Sequence, residues 1–93
     1  MEPEYVLKAT SFALGVDEVE IKGKSRRFEV VQARHIIVAI LKKKTELSLN
    51  AIGAILGGRH HTTVMASMSA FDNDLITNHR QISEKYNMIN EML

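Results

Sequence analysis

Cysteine is absent from this sequence, proline occurs once, and the longest apolar run, Ile36 to Leu41, is only six residues. The first absence excludes a disulfide framework and thiolate metal sites, and accords with a reducing compartment. The second removes any proline-rich linker, and Pro3 itself suits the first turn of a helix. With no repeat or low-complexity tract, residues 1–93 are expected to form a single domain. The third falls far short of the ~18 residues that a membrane-spanning helix needs, and the acidic start MEPEYVLKAT lacks the basic and apolar regions of a secretory signal. A cytoplasmic protein without membrane contact is expected.

What is present is an ordinary globular composition, 45% hydrophobic and 25% charged, in a chain that can bury little more than roughly 60% of its unfolded surface. The net charge of +1 conceals an uneven distribution. Residues 1–21 hold one Lys against five acids, residues 22–44 hold eight Lys or Arg against one Glu, and residues 45–93 hold three against five. The middle block concentrates positive charge where phosphates can sit; a solvated charged loop is the plainer reading of the same residues.

Helical spacing accounts for every apolar segment. Tyr5, Ala9, Phe12 and Val16 recur at that period from Pro3 to about Leu14, with Gly15 as a stop. Asp17 can cap a short helix to about Ile21 that ends at Gly23, leaving KGKSRR as an exposed basic loop. Residues 28 to 44 are apolar on several faces and close with Lys42, Lys43 and Lys44 at the negative end of the helix dipole, which predicts the central, most buried helix. Ser48 can cap a two-turn helix carrying Leu49, Ile52 and Leu56, with Gly57 at its end. Val64, Met68, Phe71 and Leu75 mark a further helix up to the breaker cluster DND, and Ile82, Tyr86, Ile89 and Leu93 mark a last one. No segment alternates with period two, so the fold class is all-α, with about five to six helices.

Between the fourth and fifth of these lies GGRHHTTV, the densest polar cluster in the chain. A short amphipathic helix, a glycine turn and a helix opening with polar residues form a helix-turn-helix, residues 48–73 approximately. In such a pair on DNA, the start of the second helix reaches base edges. Arg59 can donate to phosphate or to guanine, His60 and His61 can donate or accept, and Thr62 and Thr63 offer hydroxyls and methyls. A metal site is disfavoured because adjacent histidines point about 100° apart on a helix. Catalysis is disfavoured because no nucleophile elbow, cysteine or phosphate-binding loop is present. An ordinary solvated turn remains the alternative, although the basic block calls for the same explanation as the polar one. Of the other histidines, His35 beside Arg34 is a candidate contact, and His79 is expected on the surface.

The stretch SLNAIGAILGGRHHTTV resembles the signature of the C-terminal DNA-binding domain, domain IV, of the bacterial replication initiator DnaA, approximately S-L-x-x-I-G-x-x-F-G-G-R-D-H-[ST]-T-V. Ser48, Leu49, Ile52, Gly53, Gly57, Gly58, Arg59, His61, Thr62, Thr63 and Val64 match it. Upstream, KSRRFEVVQARH is similar to the family's basic loop and following helix start. The resemblance implies a Trp-repressor-like bundle. It implies that Arg26, flanked by Lys24 and Arg27, enters the minor groove, and that Arg34 and His35 approach DNA. It places Lys42, Leu49 and Asn50 at backbone contacts, Arg59 and Thr63 on phosphates, and His60, His61 and Thr62 facing the major groove. Two positions depart from the signature: His60 stands where the family has Asp, and Leu56 where it has Phe.

The expected function is sequence-specific binding of double-stranded DNA, resembling recognition of initiator boxes at replication origins, in the service of replication initiation or transcription. A nucleoid-associated location follows from it. A 93-residue chain that starts with Met is expected to lack the initiator's ATPase domain, so neither nucleotide nor any other cofactor, metal or enzymatic activity is expected. The host replication initiator is a candidate partner through competition or contact. Two alternatives stand beside this: an interaction module that inhibits the initiator after losing base readout, and a homodimeric repressor.

Overall fold

The computed structural model describes residues 2–77 and 79–93, the side chain of residue 79 excepted, so the surface expectation for His79 lies outside the described side chains. Six helices follow one another: α1 (Pro3–Leu14), α2 (Glu18–Lys22), α3 (Phe28–Lys44), α4 (Leu49–Ile55), α5 (His61–Thr77) and α6 (His79–Met92). No strand occurs among the described residues, as the missing period-two pattern predicts.

Local chemistry sets most of the helix ends. Gly15 adopts φ 66° and its N–H reaches Ser11 O, closing α1 with the left-handed residue that glycine tolerates. The Asp17 carboxylate accepts from Val19 N at 3.0 Å and starts α2, and Ser48 Oγ accepts from Ala51 N at 3.1 Å and starts α4. Lys42, Lys43 and Lys44 occupy the last turn of α3.

α3 is the axis of the bundle. Val30, Ala33, Ile36, Ile37, Val38, Ile40 and Leu41 are fully buried along it, with α1, α2 and α5 packed around it and α6 against α1 and α5. α4 packs chiefly on α5, which itself lies along α3, so the helix-turn-helix pair is anchored to the core through α5. Phe71 of α5 and Tyr86 of α6 pack ring to ring at 5.2 Å.

Two sequence expectations are corrected. The core face of α1 is Val6, Leu7, Ala9 and Thr10, whereas Tyr5 and Phe12 are 51% and 83% exposed. The true face lies about one position away and includes a threonine, whose hydroxyl is satisfied by Val6 O at 2.8 Å and therefore tolerates burial. Second, α5 continues through Asp72, Asn73 and Asp74 to Thr77. Asp and Asn lower helix propensity by only tenths of a kcal/mol, and Leu75 beyond them packs on the core.

Candidate nucleic-acid interface

The loop between α2 and α3 and the turn between α4 and α5 are far apart in the sequence and packed together in space. Gly57, at φ 88°, approaches so closely that an added Cβ would lie 2.0 Å from Lys22 O. Only glycine supplies both that φ and that clearance. Next to it, Arg59 donates through Nη2 to Gly23 O at 2.5 Å and through Nη1 to Leu56 O. The turn itself folds back on α4, where Gly53 O accepts from Gly58 N at 3.0 Å and from Arg59 N at 2.8 Å. A Cβ at Gly53 would lie 2.0 Å from Arg59 O.

Arg34 holds the loop from its other side. Its Nε donates to Ile21 O at 2.8 Å, Nη1 to Ser25 O at 2.7 Å, and Nη2 to Glu20 O at 2.8 Å and Gly23 O at 3.0 Å. The side chain is buried: Arg34 faces the interior carbonyls of residues 20–25. Burial, and the neighbouring Arg59 charge after it, lower its pKa; burial alone lowers that of Arg59. Gly23 O thus receives two guanidinium groups, one from α3 and one from the helix-turn-helix.

The loop presents Lys24 and Arg26 to solvent, Arg26 without a partner among the described residues. Arg27 is also exposed, but its guanidinium pairs with Glu20 at 2.8 Å. A surface ion pair of this kind is worth at most about 1 kcal/mol and can be exchanged for a phosphate.

At the start of α5 the geometry is ordered by His60. Its carbonyl accepts from Thr63 N at 3.0 Å and Val64 N at 3.2 Å. Its Nδ1 accepts from Thr62 N at 3.2 Å and lies 2.8 Å from Thr62 Oγ1. His60 is therefore the N-cap of α5. The His61 ring packs against it at 4.2 Å, tilted by 36°. His60, Thr62 and Thr63 are exposed, and His61 is half-buried.

The remaining candidates form separate groups. Lys42 is exposed near the far end of α3, about 20 Å along the axis from the basic loop. Asn50 is exposed and Leu49 half-buried at the start of α4, which follows that end of α3 in the chain. His35 points away from Arg34, as neighbours about 100° apart must. It lines a cleft with Phe28, Val31, Asn73 and Asp74, about 20 Å along α5 from His60. Burial pushes the His35 imidazole below its ordinary range; the Asp74 charge pulls partly back, and the Arg34 charge adds a smaller downward push. Its protonation therefore opposes folding. As pH falls below about 6.5, the unfolded chain takes up that proton more readily than the folded one, and stability declines. The urea midpoint should drop over that window, and His35→Gln should flatten the drop; an unchanged slope would assign it to other groups.

No group of three or more His, Cys, Asp or Glu side chains that could hold a metal occurs among the described residues. No described helix is long and apolar enough to cross a membrane.

Sequence reasoning missed two geometries here, the inward bonds of Arg34 and the capping role of His60. A signal existed for the second, because the aspartate that the DnaA signature has at that position is itself a strong N-cap type.

Compared with known families, residues 3–70 match the family model of the bacterial dnaA protein helix-turn-helix. The chain is 36% identical over 91 residues to the chromosomal replication initiator protein DnaA of Picosynechococcus sp., with 98% of this chain and 20% of that protein covered. It is 36% identical over 90 residues to that of Borreliella burgdorferi strain B31, covering 97% and 18%, and 37% identical over 75 residues to that of Porphyromonas gingivalis strain W83, covering 81% and 16%. The chain thus spans a fifth or less of the length of these relatives.

Proposed function

Since the chain belongs to the bacterial DnaA helix-turn-helix family, we propose that it binds double-stranded DNA with sequence preference, at sites akin to initiator boxes. The loop carrying Lys24, Arg26 and Arg27 enters the minor groove, Arg59 and Thr63 hold phosphates, and the start of α5 at His60, His61 and Thr62 faces the major groove. Lys42, Leu49 and Asn50 contact the backbone further along. By occupying such sites the protein influences replication initiation or transcription, and it meets the host replication initiator by competing for them.

The observation that carries this reading is the docking of the basic loop onto the helix-turn-helix turn, through Arg59 to Gly23 O and Gly57 against Lys22 O. It makes one surface of two elements that each suit a different part of a duplex: a cationic loop and a polar helix start.

Duplex titrations at several salt concentrations test it. Arg26→Ala should weaken preferred and random duplexes, with the logarithmic salt slope reduced by about 1. His61→Ala should instead narrow the gap between preferred and random duplex while leaving the slope alone. Wild-type protein that binds no duplex at low salt, yet captures the initiator, would favour the inhibitor reading instead.

A further inference from the structure

Among the described residues, His60 is occupied on one side of its ring only. Nδ1 faces the Thr62 backbone N–H at 3.2 Å, and a backbone amide can only donate. Nδ1 must therefore carry a lone pair. Thr62 Oγ1, 2.8 Å from the same nitrogen, can then turn its hydrogen toward it. A neutral imidazole without a proton on Nδ1 carries it on Nε2, and the His61 ring lies beside it at 4.2 Å. The exposed edge of His60 is consequently a donor. The exposed side of Thr62 keeps its methyl and an acceptor lone pair.

We infer that His60 is a specificity-determining residue of the proposed DNA interface: the cap fixes its tautomer so that Nε2–H is offered to a guanine in the major groove. The inference rests on the DNA-binding reading above. Guanine presents two acceptors there, N7 and O6; thymine presents one, O4, beside its methyl, adenine sets a donor beside its N7, and cytosine presents a donor at N4. An N–H directed at this position is accommodated best by the paired acceptors of guanine and is opposed by cytosine. An aspartate at the same helix position, as in the DnaA signature, offers only acceptors and reverses that choice. The capping and reading roles are linked, because the bond that starts α5 decides which hydrogen faces the bases.

Two measurements test this independently. Long-range ¹H–¹⁵N spectra of the free protein near neutral pH should show His60 protonated at Nε2 and unprotonated at Nδ1. Selection from a random duplex library should return a guanine, about tenfold or more over cytosine, at one position for the wild type. His60→Asp, which preserves a cap, should turn that position toward cytosine and leave the other positions unchanged. His60→Asn, which also caps but can donate or accept, should relax it. A proton on Nδ1 would overturn the inference, as would identical preferences from wild type and His60→Asp in a protein that still binds DNA. Absence of selection by all three proteins, with folding intact by circular dichroism, would instead overturn the proposed DNA-binding function and with it the base contact.

Discussion

Replacing Gly57 by alanine should lower stability by about 3 kcal/mol, measured as a shift of the urea midpoint, and should abolish duplex binding under conditions where the variant remains folded. Two effects add. At φ 88° an alanine Cβ meets its own carbonyl, for about 1–2 kcal/mol. The same Cβ would also sit 2.0 Å from Lys22 O, a backbone atom that cannot rotate aside, and separating packed backbone segments adds about 1–3 kcal/mol. That is a substantial share of the roughly 5–14 kcal/mol expected of a domain this size. Gly58 provides the control. Its φ is 83°, yet a Cβ there would meet no described atom within 4 Å. Gly58→Ala should lose only the conformational part, about 1–2 kcal/mol, and retain binding. Equal losses at the two positions would mean that the contact with Lys22 contributes nothing.

The second large effect belongs to Arg34. Arg34→Met should destabilise by about 3 kcal/mol, because the carbonyls of Glu20, Ile21, Gly23 and Ser25 all lose a charged donor, each such bond contributing about 1.5–3 kcal/mol before water replaces part of it. Relief from the Arg59 charge offsets a little. Lysine should rescue poorly, since one ammonium cannot span four carbonyls arranged around a planar fork. Duplex affinity should fall although Arg34 is only 8% exposed, because the loop that carries Arg26 is no longer held. A double-mutant cycle separates positioning from contact. Once Arg34 is methionine, Arg26→Ala should cause little further loss of affinity, whereas full additivity would show that the two arginines act independently.

These two residues also explain why the fold was more legible than the site. Helix ends are written in single residues that act on near neighbours, such as Gly15, Asp17, Ser48 and the lysines closing α3, so a local reading locates them. The face of α1 was misread because Tyr5 and Phe12 are apolar and correctly spaced, while the buried face includes Thr10. Residue type outweighed geometry there. The polar cluster at the start of α5 was visible as a cluster. Its partnership with the basic loop was not, since the bond from Arg59 to Gly23 spans 36 residues and follows no periodicity. The interior bonds of Arg34 were hidden for a related reason: a cation in a basic block suggests an outward contact, and only the carbonyls converging on it reveal the inward ones.

The sharing of Gly23 O by Arg34 and Arg59 has a consequence for the geometry of the proposed complex. Minor-groove entry by the loop and major-groove entry by α5 are tied to one atom, so the two elements behave as the fixed jaws of a caliper. Neither jaw can advance along a strand by one nucleotide, about 3.4 Å, while the other stays in place. The phase between the two halves of a recognised site is then dictated by the protein's interior, and evolution can alter the letters read by either jaw more easily than the spacing between them.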